Sequence, residues 1–106
     1  MEVLTKTNYA GLKQKLAQGS YVLFFTAGWC PDCQFIKPAM PEIEAQYSDY
    51  QFIQVDRDEN SELCQEMTIL GIPSFVVFKE GKEVARFVNK DRKTKEEVAR
   101  FLDGVA

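Results

Sequence analysis

The residues best spaced for covalent chemistry are Cys30 and Cys33, in the run Trp29-Cys30-Pro31-Asp32-Cys33. They follow the apolar run Tyr21-Val22-Leu23-Phe24-Phe25 and precede a helical-looking segment from Gln34 to Tyr47. A strand leading into CxxC at the start of a helix marks a dithiol/disulfide redox site. Free N–H groups and the positive dipole end of that helix favour a thiolate on the first cysteine. The thiolate is the reactive form, so Cys30 is the expected nucleophile. Cys33 lies about one turn further on, close enough to close a disulfide with it. The competing reading is a structural pair or half of a zinc site. Zinc takes four ligands, and the chain has no histidine and three cysteines. An intrachain zinc site would therefore need a carboxylate.

The elements that must position this pair alternate between strand and helix, which points to an α/β fold. Residues 2–4 suit a short edge strand. Residues 7–18 predict a helix with Tyr9, Leu12 and Leu16 on one face and Gly19 as its stop. Residues 21–26 are nearly all apolar, as in a central strand buried on both faces. The CxxC helix should kink at Pro38 and at Pro41, where a backbone donor is missing. Residues 51–56 alternate through Phe52, Ile53 and Val55 as a strand. Residues 61–67 suit a short helix with Asn60 as its cap. Residues 74–78 and 83–88 flank Lys79-Glu80-Gly81-Lys82 as a β-hairpin. The last helix opens on Thr94-Lys95-Glu96-Glu97, a capping box, and presents Val98, Phe101, Leu102 and Val105 at helical spacing.

Composition bounds the rest. The chain of 106 residues fits one domain over 1–106, and its 45% hydrophobic content supplies a core without structural disulfides or metal. A net charge of -3 gives no footprint for nucleic acid or an anionic membrane. No apolar run approaches the length of a membrane span. The N-terminus lacks a basic region followed by an apolar stretch, so no secretory signal is read there. The odd cysteine count argues against a fully paired scaffold, and a reducing, cytoplasmic setting is expected.

The order of elements, with Phe25-Thr26-Ala27-Gly28-Trp29-Cys30 leading into the motif, resembles the thioredoxin family. Pro38 sits where that family kinks its active-site helix. Gly71-Ile72-Pro73-Ser74 resembles the family's Gly-Ile-Pro-Thr segment, whose proline is cis. Phe78-Lys79-Glu80-Gly81 resembles its hairpin turn. The resemblance runs from about residue 9 to 102. It implies a mixed sheet of four to five strands flanked by about four helices. It also implies reduction of protein disulfides without a bound cofactor or metal: Cys30 attacks, and Cys33 resolves the mixed disulfide. The implied partners are disulfide-containing proteins and a thioredoxin-reductase-like flavoenzyme as electron donor, with the chain a monomer. Trp29, Gly28, Ile72, Pro73 and Asn89 would rim the substrate groove, with Trp29 packed over the active-site loop. A cis proline would leave the Ile72 backbone free to pair with an extended substrate. An ordinary turn at Ile72-Pro73 is the plain alternative.

The chain also departs from the family. Pro31-Asp32 replaces the usual Gly-Pro and is closer to the glutaredoxin dipeptide. Pro31 suits the first helical position and stiffens the loop. Asp32 favours the helix N-terminus, but its charge beside Cys30 should disfavour the thiolate. That predicts a reducing site unless Asp32 is solvated and screened. Phe24 stands where the family places a buried aspartate that moves protons to and from the second cysteine, and Gln54 where its lysine stands. Asp32 or solvent would take over that proton. Asn89 replaces a glycine, as the next-best residue for a left-handed backbone, and about two extra residues precede the last helix. Cys64 reads as a small buried hydrophobe, with a regulatory or dimerising thiol as the alternative. The rivals to a disulfide reductase are a glutathione-linked, glutaredoxin-like reductase, a partner-binding module with little redox activity, and an inter-subunit metal or iron–sulfur site built from two CxxC motifs.

Overall fold

The computed structural model describes residues 1–105; Ala106, the last residue of the expected domain, lies outside them. Its centre is β2, Ser20–Thr26, whose last five residues are all buried. β2 runs parallel to β3, Gln51–Asp56, and antiparallel to β4, Ser74–Lys79. Leu23 thus lies opposite Ile53 on one side and Val76 on the other. β1, Glu2–Val3, pairs with β3 at one edge, and β5, Lys82–Phe87, pairs with β4 at the other. The five-stranded sheet has the order β1-β3-β2-β4-β5.

Alternation along β2 divides its side chains between two apolar layers. Leu23 and Phe25 pack with Leu12 of α1, Tyr9–Lys15, with Leu16 at its C-cap, and with Leu63 and Cys64 of α4, Ser61–Glu66. Val22 and Phe24 pack on the other layer, beneath three helices. These are α2, Pro31–Ile36, α3, Met40–Gln46, and α5, Lys95–Asp103. A nearly unbroken apolar β2 is what a strand covered on both faces requires. No helix among the described residues is long and apolar enough to cross a membrane.

Local chemistry moves several predicted boundaries. α1 starts at Tyr9 because Asn8 is its N-cap and accepts the Gly11 N–H at 2.8 Å. It ends before Leu16, and Gly19 turns the chain with φ +97°. The CxxC helix begins at Pro31 rather than near Gln34, with Cys30 as its N-cap. It breaks once, in a 3-10 turn over Lys37–Ala39 that contains Pro38. Pro41 does not kink it. That residue lies in the first turn of α3, where no amide donor is needed. The hairpin turns through Glu80 (φ 51°) and Gly81 (φ 80°), the two left-handed residues of a tight two-residue loop.

Two asparagines do not do what the sequence predicts. Asn60 occupies the N-cap position of α4, but its side chain makes no capping bond; its Oδ1 accepts the Thr7 N–H at 3.0 Å. Asn89 is not left-handed: among the described residues only Thr68 and Glu80 combine a side chain with positive φ. Asn89 Oδ1 instead accepts from the Asp91 N–H at 2.9 Å and from Lys93 Nζ at 2.8 Å. The asparagine is there as an acceptor that folds its own loop, not as a glycine substitute.

Candidate active site

The two cysteines lie where β2 delivers the chain to α2. Cys30 takes an extended conformation (φ -90°, ψ 111°), and its Sγ accepts the Cys33 N–H at 3.2 Å. A side-chain acceptor at this position satisfies one of the free amides of the helix start. Cys30 and Cys33 are joined in a disulfide, with Cα atoms 5.2 Å apart. Cys33 is fully buried and Cys30 is 6% exposed, so the Cys30 sulfur is the one bordering solvent. Pro31 follows at the first helical position as predicted, where its missing N–H costs nothing.

A shallow groove runs past Cys30, lined by Trp29, Pro31, Asp32, Gly71 and Ile72, and by Arg57, Leu70 and Lys90. The Ile72–Pro73 bond is cis. Neither the amide nor the carbonyl of Ile72 has a backbone partner among the described residues. Of the predicted rim, Trp29 and Ile72 line the groove, while Gly28, Pro73 and Asn89 do not. Trp29 does not pack down over the loop. It is 61% exposed and donates Nε1–H to Asp58 Oδ2 at 2.8 Å, on the turn after β3.

Asp32 is not a lone charge. Arg92 Nε donates to its Oδ1 at 2.9 Å, and the guanidinium lies 4.2 Å from the centre of the Phe35 ring. The cation opposes the field of Asp32 at Cys30, which weakens the predicted penalty on the thiolate. Phe24 is fully buried and stacked on Phe75, centroids 5.2 Å apart. The buried polar and charged side chains among the described residues are Thr26, Asn60, Ser74 and Lys93, none of them acidic. No buried carboxylate therefore stands beneath Cys33. Among the described residues no three potential metal-ligating His, Cys, Asp or Glu side chains lie together.

The loop after β5 supplies residues that the motifs do not reveal. Lys93 is 1% exposed, and its Nζ donates to Asn89 Oδ1 at 2.8 Å, Asp91 O at 2.7 Å and Asn89 O at 3.3 Å. Burial lowers its pKa, while Asp91, Glu97 and Asp32 pull in the opposite direction. The loop passes so close to Gly71 that a Cβ there would sit 2.4 Å from Asn89 C and from Lys90 N. Ser74 Oγ ties the two segments, donating toward Gly71 O at 2.6 Å and Asn89 O at 3.3 Å. The sequence signal for this arrangement was the extra length between Asn89 and Thr94, which carries Lys90, Arg92 and Lys93 to the site. Cys64 stays in the core, 4% exposed, and burial pushes its thiol up to about 11.

Comparison with known proteins agrees with this geometry. The sequence model of the thioredoxin family matches residues 1–104. Thioredoxin Asp f 28 of Aspergillus fumigatus is 33% identical over 87 residues, 82% of this chain and 81% of the relative. Thioredoxin X, chloroplastic, of Arabidopsis thaliana is 35% identical over 82 residues, 76% of this chain but 45% of the relative. The chain spans about half the length of several plant relatives that it matches. The solved structure of Plasmodium falciparum thioredoxin superposes with a TM-score of 0.83 at 25% identity, covering all of both chains.

Proposed function

This chain belongs to the thioredoxin family, and on that premise we propose that it is a thiol–disulfide oxidoreductase that reduces protein disulfides through Cys30 and Cys33. The observation that carries this reading is the Cys30 sulfur, bordering an open groove and capping α2 while bonded to a fully buried Cys33. A thiolate formed there would keep the Cys33 N–H and gain from the helix start.

In the proposed cycle the Cys30 thiolate attacks one sulfur of a substrate disulfide. The substrate S–S bond breaks, its other sulfur leaves as a thiolate and takes a proton, and a mixed disulfide to Cys30 forms. Cys33 then loses its proton and attacks Cys30 Sγ. The second substrate sulfur leaves and is protonated. The substrate has gained two electrons and two protons, and the pair is again a disulfide. With Phe24 in place of a carboxylate, the Cys33 proton leaves through Asp32 or water. The free Ile72 amide and carbonyl are suited to pair with an extended segment next to the substrate cysteine. A thioredoxin-reductase-like flavoenzyme is the proposed source of the two electrons that restore the dithiol. The buried, unpaired Cys64 suits a reducing, cytoplasmic setting, and the chain is proposed to act as a monomer.

The test is the reduction potential of the Cys30/Cys33 couple, followed by Trp29 fluorescence, together with turnover of a disulfide-bearing protein. A potential near the roughly -270 mV of reducing members, with turnover abolished in Cys30→Ser and a mixed disulfide trapped in Cys33→Ser, is expected. A potential near the roughly -120 mV of strong oxidants would overturn the reductase reading. Glutathione-dependent monothiol activity in Cys33→Ser would favour a glutaredoxin-like route. Biological function surviving in the double serine variant would favour a binding module.

A further inference from the structure

Around Cys30 the charges are not balanced as they are over the whole chain. The protein carries a net charge of -3. Yet Arg57 and Lys90 line the groove as cations, and neither makes an ion pair among the described residues. The one acid that lines it, Asp32, is engaged by Arg92. Chain-wide charge is screened beyond about 10 Å at ordinary salt, so a docking segment responds to the charges lining the groove, the cations Arg57 and Lys90 and the paired Asp32, together with their chain neighbours Asp56, Asp58 and Asp91.

Main-chain contacts fix where both residues leave the backbone. The Arg57 N–H donates to Thr26 O at 2.9 Å, pinning this residue beside the end of β2. Lys90 follows Asn89, whose oxygens are gripped by Lys93 Nζ and Ser74 Oγ, and its amide is packed directly against Gly71. Leu70 borders the same groove at 81% exposure, on a lining that also includes Trp29 and Ile72. An exposed leucine sharing a groove with two cations suits a protein segment with both apolar and acidic side chains. Asp58, bonded to the Trp29 indole, makes the Trp29 end less favourable for acids. The acidic residue is therefore expected toward Leu70 and Lys90.

We propose that this groove selects extended protein segments whose disulfide cysteine is flanked by acidic residues, with Arg57 and Lys90 as the specificity-determining cations. The proposal rests on the reductase reading above and adds the class of substrate to it.

The test uses the reduced full chain and three homodimeric peptide disulfides, identical but for Asp, Ser or Lys on both sides of the cysteine. Stopped-flow Trp29 fluorescence gives the second-order rate of protein oxidation. One exposed charge pair contributes about 1.4- to 5-fold. Two cations meeting Asp rather than Lys should therefore give about a ten-fold faster reaction at low salt, shrinking at about 0.5 M salt. Arg57→Glu combined with Lys90→Glu should invert the order and favour the Lys dimer, a gain that an unfolded variant could not show. Equal rates for the Asp and Lys dimers, or an order that the double variant leaves unchanged, would overturn the selectivity and leave the reductase reading standing. No reaction with any dimer, Ser included, would sink both. Glutathione disulfide reacting faster than the Asp dimer would overturn a protein segment as the occupant.

Discussion

Replacing Gly71 by alanine should be among the most damaging single-methyl additions to this protein. The reason is steric and not conformational, since Gly71 does not have positive φ. The added Cβ would lie 2.4 Å from Asn89 C, 2.4 Å from Lys90 N and 2.7 Å from Asn89 O. Carbon atoms in contact prefer about 3.5–4.0 Å, so the overlap is about 1 Å. Every clashing atom is backbone, and no rotamer change relieves it. The 89–90 segment would have to move away, loosening the Ser74 and Lys93 bonds to Asn89. Overpacking costs about 1–3 kcal/mol, and each weakened hydrogen bond adds up to about 1 kcal/mol. The lower entropy of an unfolded alanine returns about 0.4–1 kcal/mol. The net is a loss of about 2–3 kcal/mol, or a Tm drop of roughly 10–20 °C for a domain of this size. Thermal melts of the oxidised protein measure it. Gly28→Ala is the internal control: its Cβ would meet nothing within 4 Å, and it should stay within about 0.5 kcal/mol. A Gly71→Ala protein melting within 2–3 °C of the parent on the scale of that control would refute the reasoning, as would an equal loss in both variants.

Other perturbations separate the charges around the site. Arg92→Ala leaves Asp32 uncompensated and should raise the apparent pKa of Cys30, whereas Asp32→Asn should lower it; thiol alkylation against pH reads both, and an unchanged value in Asp32→Asn would remove any tuning role for that residue. Stability should shift by less than about 1 kcal/mol in either, because the pair is exposed. Because burial raises the Cys64 thiol to about 11 from an ordinary 9.0, the folded state holds a proton that the unfolded chain releases. Stability should therefore fall by about 2 kcal/mol as pH rises from 9 to 11, and pH-dependent melts of Cys64→Ala should lack that component. Lys93 has the opposite sign: its folded pKa is depressed, so its contribution to stability grows as pH rises through that value toward the ordinary 10.5. Lys93→Met removes this dependence but takes a donor from Asn89 Oδ1 and Asn89 O and leaves Asp91 O without its side-chain donor, and should cost about 1–3 kcal/mol at neutral pH, with faster hydrogen exchange over residues 89–93.

Local chemistry made much of this molecule readable in the sequence. The Cys30–Cys33 spacing, the apolar β2 and the Thr94–Glu97 box each encode an interaction within a few residues. In the box both reciprocal bonds form, Glu97 N–H to Thr94 Oγ1 and Thr94 N–H to Glu97 Oε1, each at 3.1 Å. What stayed hidden depends on distant pairs. Arg92 meets Asp32 across 60 residues of sequence, and the Gly71 contact with Asn89 joins two loops whose separate sequences predict no such approach. Asn89 illustrates the limit well: its type fits either a left-handed backbone or a side-chain acceptor, and only the position of Lys93 decides between them. Asn60 is the same case, with Thr7 as the distant donor.

The order β1-β3-β2-β4-β5 leaves two rims of the sheet open, and each rim is a template on which a foreign strand could grow. β1, two residues long, offers too little ladder for one to take hold. β5 is longer, but its exposed row runs Lys82, Val84, Arg86, with the single apolar residue between two cations. Arg86 is itself anchored, to Glu83 at 2.6 Å and to the Met67 carbonyl at 2.9 Å. Neither rim therefore offers a foreign strand a long apolar ladder to extend, which guards the sheet against edge-to-edge aggregation.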